Sequence, residues 1–127
     1  MRISFFFTNF AANYKLGRLA TFMAKILVVD DERAIRNTLK DILEFEGYTI
    51  DLAENGKVGL EKALANTYDL IYTDIKMPEM DGLEMLQAYR QAVKENGTEE
   101  SPVVMISGHG TVETAVDALK NGAFDFI

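Results

Sequence analysis

The chain has 127 residues, 48% of them hydrophobic, enough apolar matter for one ordinary core and hardly two. Its 20 acidic against 13 basic side chains give a formal charge of -7, which repels polyanions and argues against direct nucleic-acid binding. The absence of cysteine excludes disulfides and thiolate metal sites, the single histidine excludes a multi-histidine site, and no apolar run approaches the roughly 20 residues that cross a bilayer. The expectation is a soluble cytoplasmic domain with no membrane partner.

Residues 1–22 contain Arg2, Lys15 and Arg18 and no acid, so 10 of the 13 basic side chains and all 20 acidic ones fall in the remainder. Ile3 to Phe7 behind Arg2 has a faint look of a secretory signal, but Thr8 and Asn9 interrupt it and no small-residue cleavage site follows. Residues 1–22 are therefore expected to be a disordered extension or a mis-called start, with the domain occupying 23–127.

From Met23 the apolar period switches repeatedly. Lys25 to Val29 is a short β-branched run of the kind buried in parallel sheets, and Ala34, Ile35, Leu39, Ile42 and Leu43 recur at helical spacing until Gly47, a natural helix stop. The same reading predicts strands over Thr49 to Ala53, Leu70 to Thr73, Pro102 to Ile106 and Phe124 to Ile127. Helices are predicted over Lys57 to Ala65, Leu83 to Val93 and Thr111 to Asn121, and Lys94 to Ser101 reads as a polar surface loop. Such alternation, with right-handed crossovers, builds an α/β, doubly wound, five-stranded parallel sheet with helices on both faces.

In open sheets of this class, chemistry gathers at the carboxyl ends of the strands where the winding reverses. Strand one ends in Asp30-Asp31-Glu32, and strand three runs into Asp74 and Ile75-Lys76-Met77-Pro78. In the order 2-1-3-4-5, taken over from known folds of this class, those two strands are neighbours about 4.8 Å apart, so three carboxylates converge. Crowded carboxylates call for a proton or a cation, and magnesium takes one or two of them while leaving room for phosphate oxygens. No Gly-rich loop follows strand one, which disfavours a nucleotide or flavin. Strand four ends in Ser107-Gly108-His109-Gly110, where a hydroxyl can donate to a phosphoryl group on Asp74. The expected product is an aspartyl phosphate. Taken singly, each signal has a plainer explanation: Asp-Asp-Glu as a helix cap, Asp74 with Pro78 and Asp81-Gly82 as turn punctuation, Ser107 as a loop residue. Together, at three strand ends, they favour the site.

Val28-Val29-Asp30-Asp31-Glu32, Thr73-Asp74-Ile75-Lys76-Met77-Pro78-Glu79-Met80-Asp81-Gly82 and Ile106-Ser107-Gly108 resemble the signature blocks of response-regulator receiver domains, a flavodoxin-like family of two-component signalling. The resemblance implies that Asp74 is the phosphoacceptor, that Asp31, Asp74 and the main-chain carbonyl of Lys76 bind Mg2+, and that Asp30 assists through water. It implies further that Ser107 is the switch hydroxyl, that Phe126 is the switch aromatic, and that a sensor histidine kinase is the phosphoryl donor. The stretch from Ser107 to Phe126 is most similar to receivers of the nitrogen-regulation class of transcriptional activators. In those, an ATPase domain and a DNA-binding domain follow as the output.

The chain departs from that pattern by stopping at Ile127, before the family's lysine and last helix, so a receiver truncated after its fifth strand is expected. The uncovered strip would favour instability or a homodimer. Two rival functions remain at this stage. A pseudo-receiver would bind without taking phosphate. An aspartate-dependent phosphatase would want an Asp-x-Asp nucleophile on strand one, which Asp30-Asp31-Glu32 does not supply.

Overall fold

Ile26 to Val29 are all buried, so this segment has no polar face to turn to water, and Lys25–Val29 forms an interior strand, β1. A computed structural model describes residues 24–106, 116, 119–123, 125 and 126. In chain order β1 is followed by α1 (Arg33–Phe45), β2 (Thr49–Ala53), α2 (Gly56–Ala65), β3 (Leu70–Asp74), α3 (Gly82–Asn96), β4 (Val103–Ile106) and β5 (Asp125–Phe126). The sheet is parallel throughout, as expected from the alternation, and its order β2-β1-β3-β4-β5 is the one taken over from known folds of this class.

Alternate residues of each strand feed two cores. Ile26, Val28, Ile50, Leu70, Tyr72 and Val104 pack with Leu39 and Leu43 of α1 on one face. Leu27, Val29, Ala53, Ile71, Val103 and Met105 pack with Ala63 of α2 and Met85, Leu86, Tyr89 and Val93 of α3 on the other. Both faces of the interior strands are thus dry, and helix-crossover topology follows from the need to cover them.

The helix ends show where pattern reading stops. Gly47 adopts φ 99° just past α1, the left-handed stop that its type suggested. Other limits differ from the sequence expectation. The segment Lys94 to Ser101 is not loop throughout, because α3 continues to Asn96 and ends at Gly97 in the left-handed region. Lys94, Glu95 and Asn96 are exposed and so add no apolar periodicity, yet nothing before Gly97 stops the helix. Helix α2 begins at Gly56 because Asn55 caps it, its side chain accepting from the Val58 amide.

Strand β3 includes Asp74 itself, paired with Ile106. Strand β5 is short, with Phe126 opposite Met105 in register. Of the expected helix Thr111 to Asn121, Val116, Leu119 and Lys120 are helical and most of the rest lies outside the described residues. Among the described residues no helix is long and apolar enough to cross a membrane.

Candidate metal and phosphoacceptor site

The register that sets Val29 beside Thr73 carries the next residues of β1 and β3 to a common edge. There Asp30, Asp31 and Asp74 each offer a carboxylate oxygen, and the three lie within 4.8 Å of one another. Their surroundings differ: Asp30 is buried at 4% exposure, Asp74 is half-buried, and Asp31 is exposed. One site therefore contains a fixed inner acid, an accessible middle one and an outer one facing water.

Local backbone bonds hold the two inner acids. Oδ1 of Asp30 accepts from the Glu32 amide at 2.8 Å, and Oδ1 of Asp74 accepts from the Ile75 amide at 2.8 Å. Each leaves its second oxygen outside those bonds. Glu32 is the N-cap of α1 but makes no side-chain capping bond, so capping does not account for the Asp-Asp-Glu run.

Behind Asp74 the chain turns tightly. The Gly82 amide donates to the Ile75 carbonyl at 2.7 Å, and a Cβ on Gly82 would intrude on the Asp74 carbonyl oxygen. Glycine at the start of α3 is thus what permits the helix to sit against the main chain of the acceptor residue. Asp81, read from sequence as turn punctuation, is the N-cap of α3 in a reciprocal capping box with Glu84.

Crowding and burial shape the electrostatics. Burial, reinforced chiefly by the neighbouring Asp30 and further by Asp31 and Glu32, pushes the Asp74 carboxyl up to about 6, against the lowering effect of its bond from Ile75. Burial likewise raises Asp30, with Asp31 and Glu32 adding to it and the Glu32 amide and Arg36 opposing. Two acids whose ionised forms are disfavoured beside a third are poised to gain from a cation. The donor set is all oxygen, open on one side and only partly buried, which suits a hard divalent ion that keeps waters.

Of the other residues singled out in the sequence, Lys76 lies in the loop after Asp74 with its side chain exposed. Ser107 lies outside the described residues, as does His109, and Phe126 is described only in its backbone placement on β5. Arg36 donates to the Asp30 carbonyl, a role the sequence does not announce, and Gly82 has a packing role beyond the turn its type suggests. No local motif marks Arg36, whereas Gly82 stands in the block from Thr73 to Gly82 and in the turn Asp81-Gly82.

Comparison with known proteins agrees with this geometry. Residues 26–127 match the response regulator receiver domain. The chain is similar to response regulator ArlR of Staphylococcus saprophyticus, 39% identical over 105 residues that cover 83% of this chain and 45% of that protein. It is also similar to the nitrogen assimilation regulatory protein NtrX of Azorhizobium caulinodans, 44% identical over 104 residues covering 80% of this chain and 22% of that protein. The chain thus spans less than half the length of these relatives. Among solved structures, response regulator protein TrrA from Thermotoga maritima, in complex with Mg(2+)-BeF, superposes with a TM-score of 0.71 at 35% identity, covering 83% of this chain and 85% of that one. Likeness to NtrX agrees with the resemblance to the nitrogen-regulation class, and likeness to ArlR extends it to other response regulators.

Proposed function

The chain belongs to the response-regulator receiver family of two-component signalling, and on that premise we propose that Asp74 accepts a phosphoryl group from a phosphohistidine of a sensor histidine kinase. The observation that carries this reading is the meeting of Asp30, Asp31 and Asp74 from two strands, with Asp74 alone both half-buried and flanked by the other two.

In the proposed transfer an oxygen of Asp74 forms a bond to phosphorus as the nitrogen–phosphorus bond of the donor breaks, leaving an aspartyl phosphate and an imidazole that takes up one proton from water. The Ile75 amide orients the Asp74 carboxylate through Oδ1, so the second oxygen is the one that attacks. Asp30, Asp31, Asp74 and the Lys76 carbonyl would hold Mg2+. When bound, the ion supplies positive charge against the clustered carboxylates and the transferring phosphoryl oxygens. Ser107 would donate its hydroxyl to a phosphoryl oxygen, and Phe126 would follow it, altering the surface formed by the segment Thr111 to Asn121 and β5.

On this reading the domain signals rather than turns over substrate, acting in the cytoplasm on an output domain for transcription, of the ATPase and DNA-binding kind, outside this chain. The same proposal takes 23–127 as the receiver, residues 1–22 as an extension or a mis-called start, and association into a homodimer as its assembly.

The test is incubation with acetyl phosphate and Mg2+ followed by intact-mass spectrometry. The expected result is a mass gain of one phosphoryl group that disappears in Asp74→Asn and on chelation of the metal. Persistence of the gain in Asp74→Asn would move the acceptor elsewhere, and no gain with Mg2+ present would favour a pseudo-receiver.

A further inference from the structure

Asp30 is tied down at three points. Its amide donates to the Ala53 carbonyl at 3.1 Å, its Oδ1 accepts from the Glu32 amide at 2.8 Å, and its own carbonyl accepts from Nη1 of Arg36 at 2.8 Å. The first is the last rung between β1 and β2, and the second closes the turn into α1. The third differs in kind, because it reaches back from the first turn of the helix to the end of the strand. The backbone of Arg36 is fixed in the helix, its amide donating to the Glu32 carbonyl at 3.0 Å. Asp30 is therefore held between strand, helix and the half-buried Arg36, while Asp31 and Glu32 stay exposed on the turn that follows.

We propose that Arg36 is a positioning residue for Mg2+ binding: by holding the Asp30 carbonyl it fixes the turn that presents two of the site's three carboxylates. The inference rests on the proposed function, and it deepens that reading by assigning a role to a residue outside the ligand set. Charge alone would give Arg36 the opposite effect. A guanidinium beside a divalent-cation site repels the ion, so removing it should tighten binding if Coulomb energy were its whole contribution. Order acts the other way. Freed from Arg36, the turn must regain its geometry when the ion binds, and that cost weakens affinity.

The opposed signs make the test decisive. Mg2+ is titrated by calorimetry into the full chain and into Arg36→Met and Arg36→Gln, at a temperature where thermal melts show each metal-free protein folded. The expected result is roughly fivefold weaker binding in Arg36→Met, the effect of one typical hydrogen bond. Arg36→Gln, neutral and too short to span the same distance, is expected to be weaker as well, and it decides alone if Arg36→Met does not fold. In the metal-free state the Glu32 amide should lose exchange protection in both variants. Affinity equal to or tighter than that of the unaltered chain would overturn the role given to Arg36 and leave the proposed function intact. Absence of Mg2+ uptake by the unaltered chain would overturn both.

Discussion

Two clusters of acids sit on the same sheet and are treated in opposite ways. Near the start of β1, Asp51 accepts from the Tyr68 hydroxyl at 2.7 Å and faces Lys25 Nζ at 3.5 Å, while Asp69 accepts from the Lys25 amide at 2.8 Å. Burial by itself would raise the Asp51 carboxyl, yet the Tyr68 bond and Lys25 outweigh it and hold the group below the ordinary carboxylate range. At the far end of the strands, burial and mutual repulsion raise Asp30 and Asp74 instead. One cluster is satisfied within the protein. The other keeps its repulsion within the protein, and on the proposed function a bound cation relieves it.

The sharpest way to disturb the functional end without touching a charge is Gly82→Ala. The added methyl would press on the Asp74 carbonyl and the Ile75 backbone, neither of which is a flexible side-chain end. We expect a loss of about 3 kcal/mol in chemical unfolding. A neutral result would mean that α3 can move off β3 freely.

Next, neutralising one acid in each cluster should change the stability of the metal-free protein in opposite directions. Asp51→Ala removes the acceptor of Tyr68 and the partner of Lys25, at an expected cost of about 1.5 kcal/mol. Asp74→Asn keeps an oxygen for the Ile75 amide while removing a repelled charge, and should stabilise by up to about 1 kcal/mol near neutral pH, after discounting for solvent screening. Saturating Mg2+ should reverse the second difference, since the ion stabilises the native state of the unaltered chain. Equal signs in the two metal-free variants would break the contrast.

A further expected effect is in pH. Asp74 binds its proton more tightly when folded, titrating near 6 rather than at its ordinary 3.8. Its contribution to metal-free stability is therefore fully present below about pH 4 and is lost as pH rises through about 6. Asp51, lowered on folding, contributes stability at higher pH that is lost as pH falls. Protons also compete with the metal at Asp74, so Mg2+ affinity should fall about tenfold from pH 7 to pH 5. A flat affinity profile over that interval would place the metal away from Asp74.

Much of this arrangement was legible in residues alone. The runs Ile26 to Val29 and Leu70 to Tyr72 announce buried strands because each is a continuous apolar stretch, and the acids that follow them announce a crevice once the strands are set side by side. The end of α3 was less legible, since Lys94 to Asn96 are polar and the periodicity that marks a packed face ends at Val93. The capping box Asp81 to Glu84 carried its own signal, an acid followed three residues later by glutamate, but the neighbouring Gly82 made a turn equally plausible.

The amino-acid order by itself determined the alternation of strand and helix, the two-sided burial of the sheet, and which acids end β1 and β3, because these depend on near neighbours and on apolar period. Only the tertiary structure decided how far those acids are from one another, which of them is buried, that Arg36 closes on the Asp30 carbonyl, and why residue 82 must lack a Cβ. Each of those depends on separate elements meeting in space, and distance across a sheet is not written in spacing along a chain.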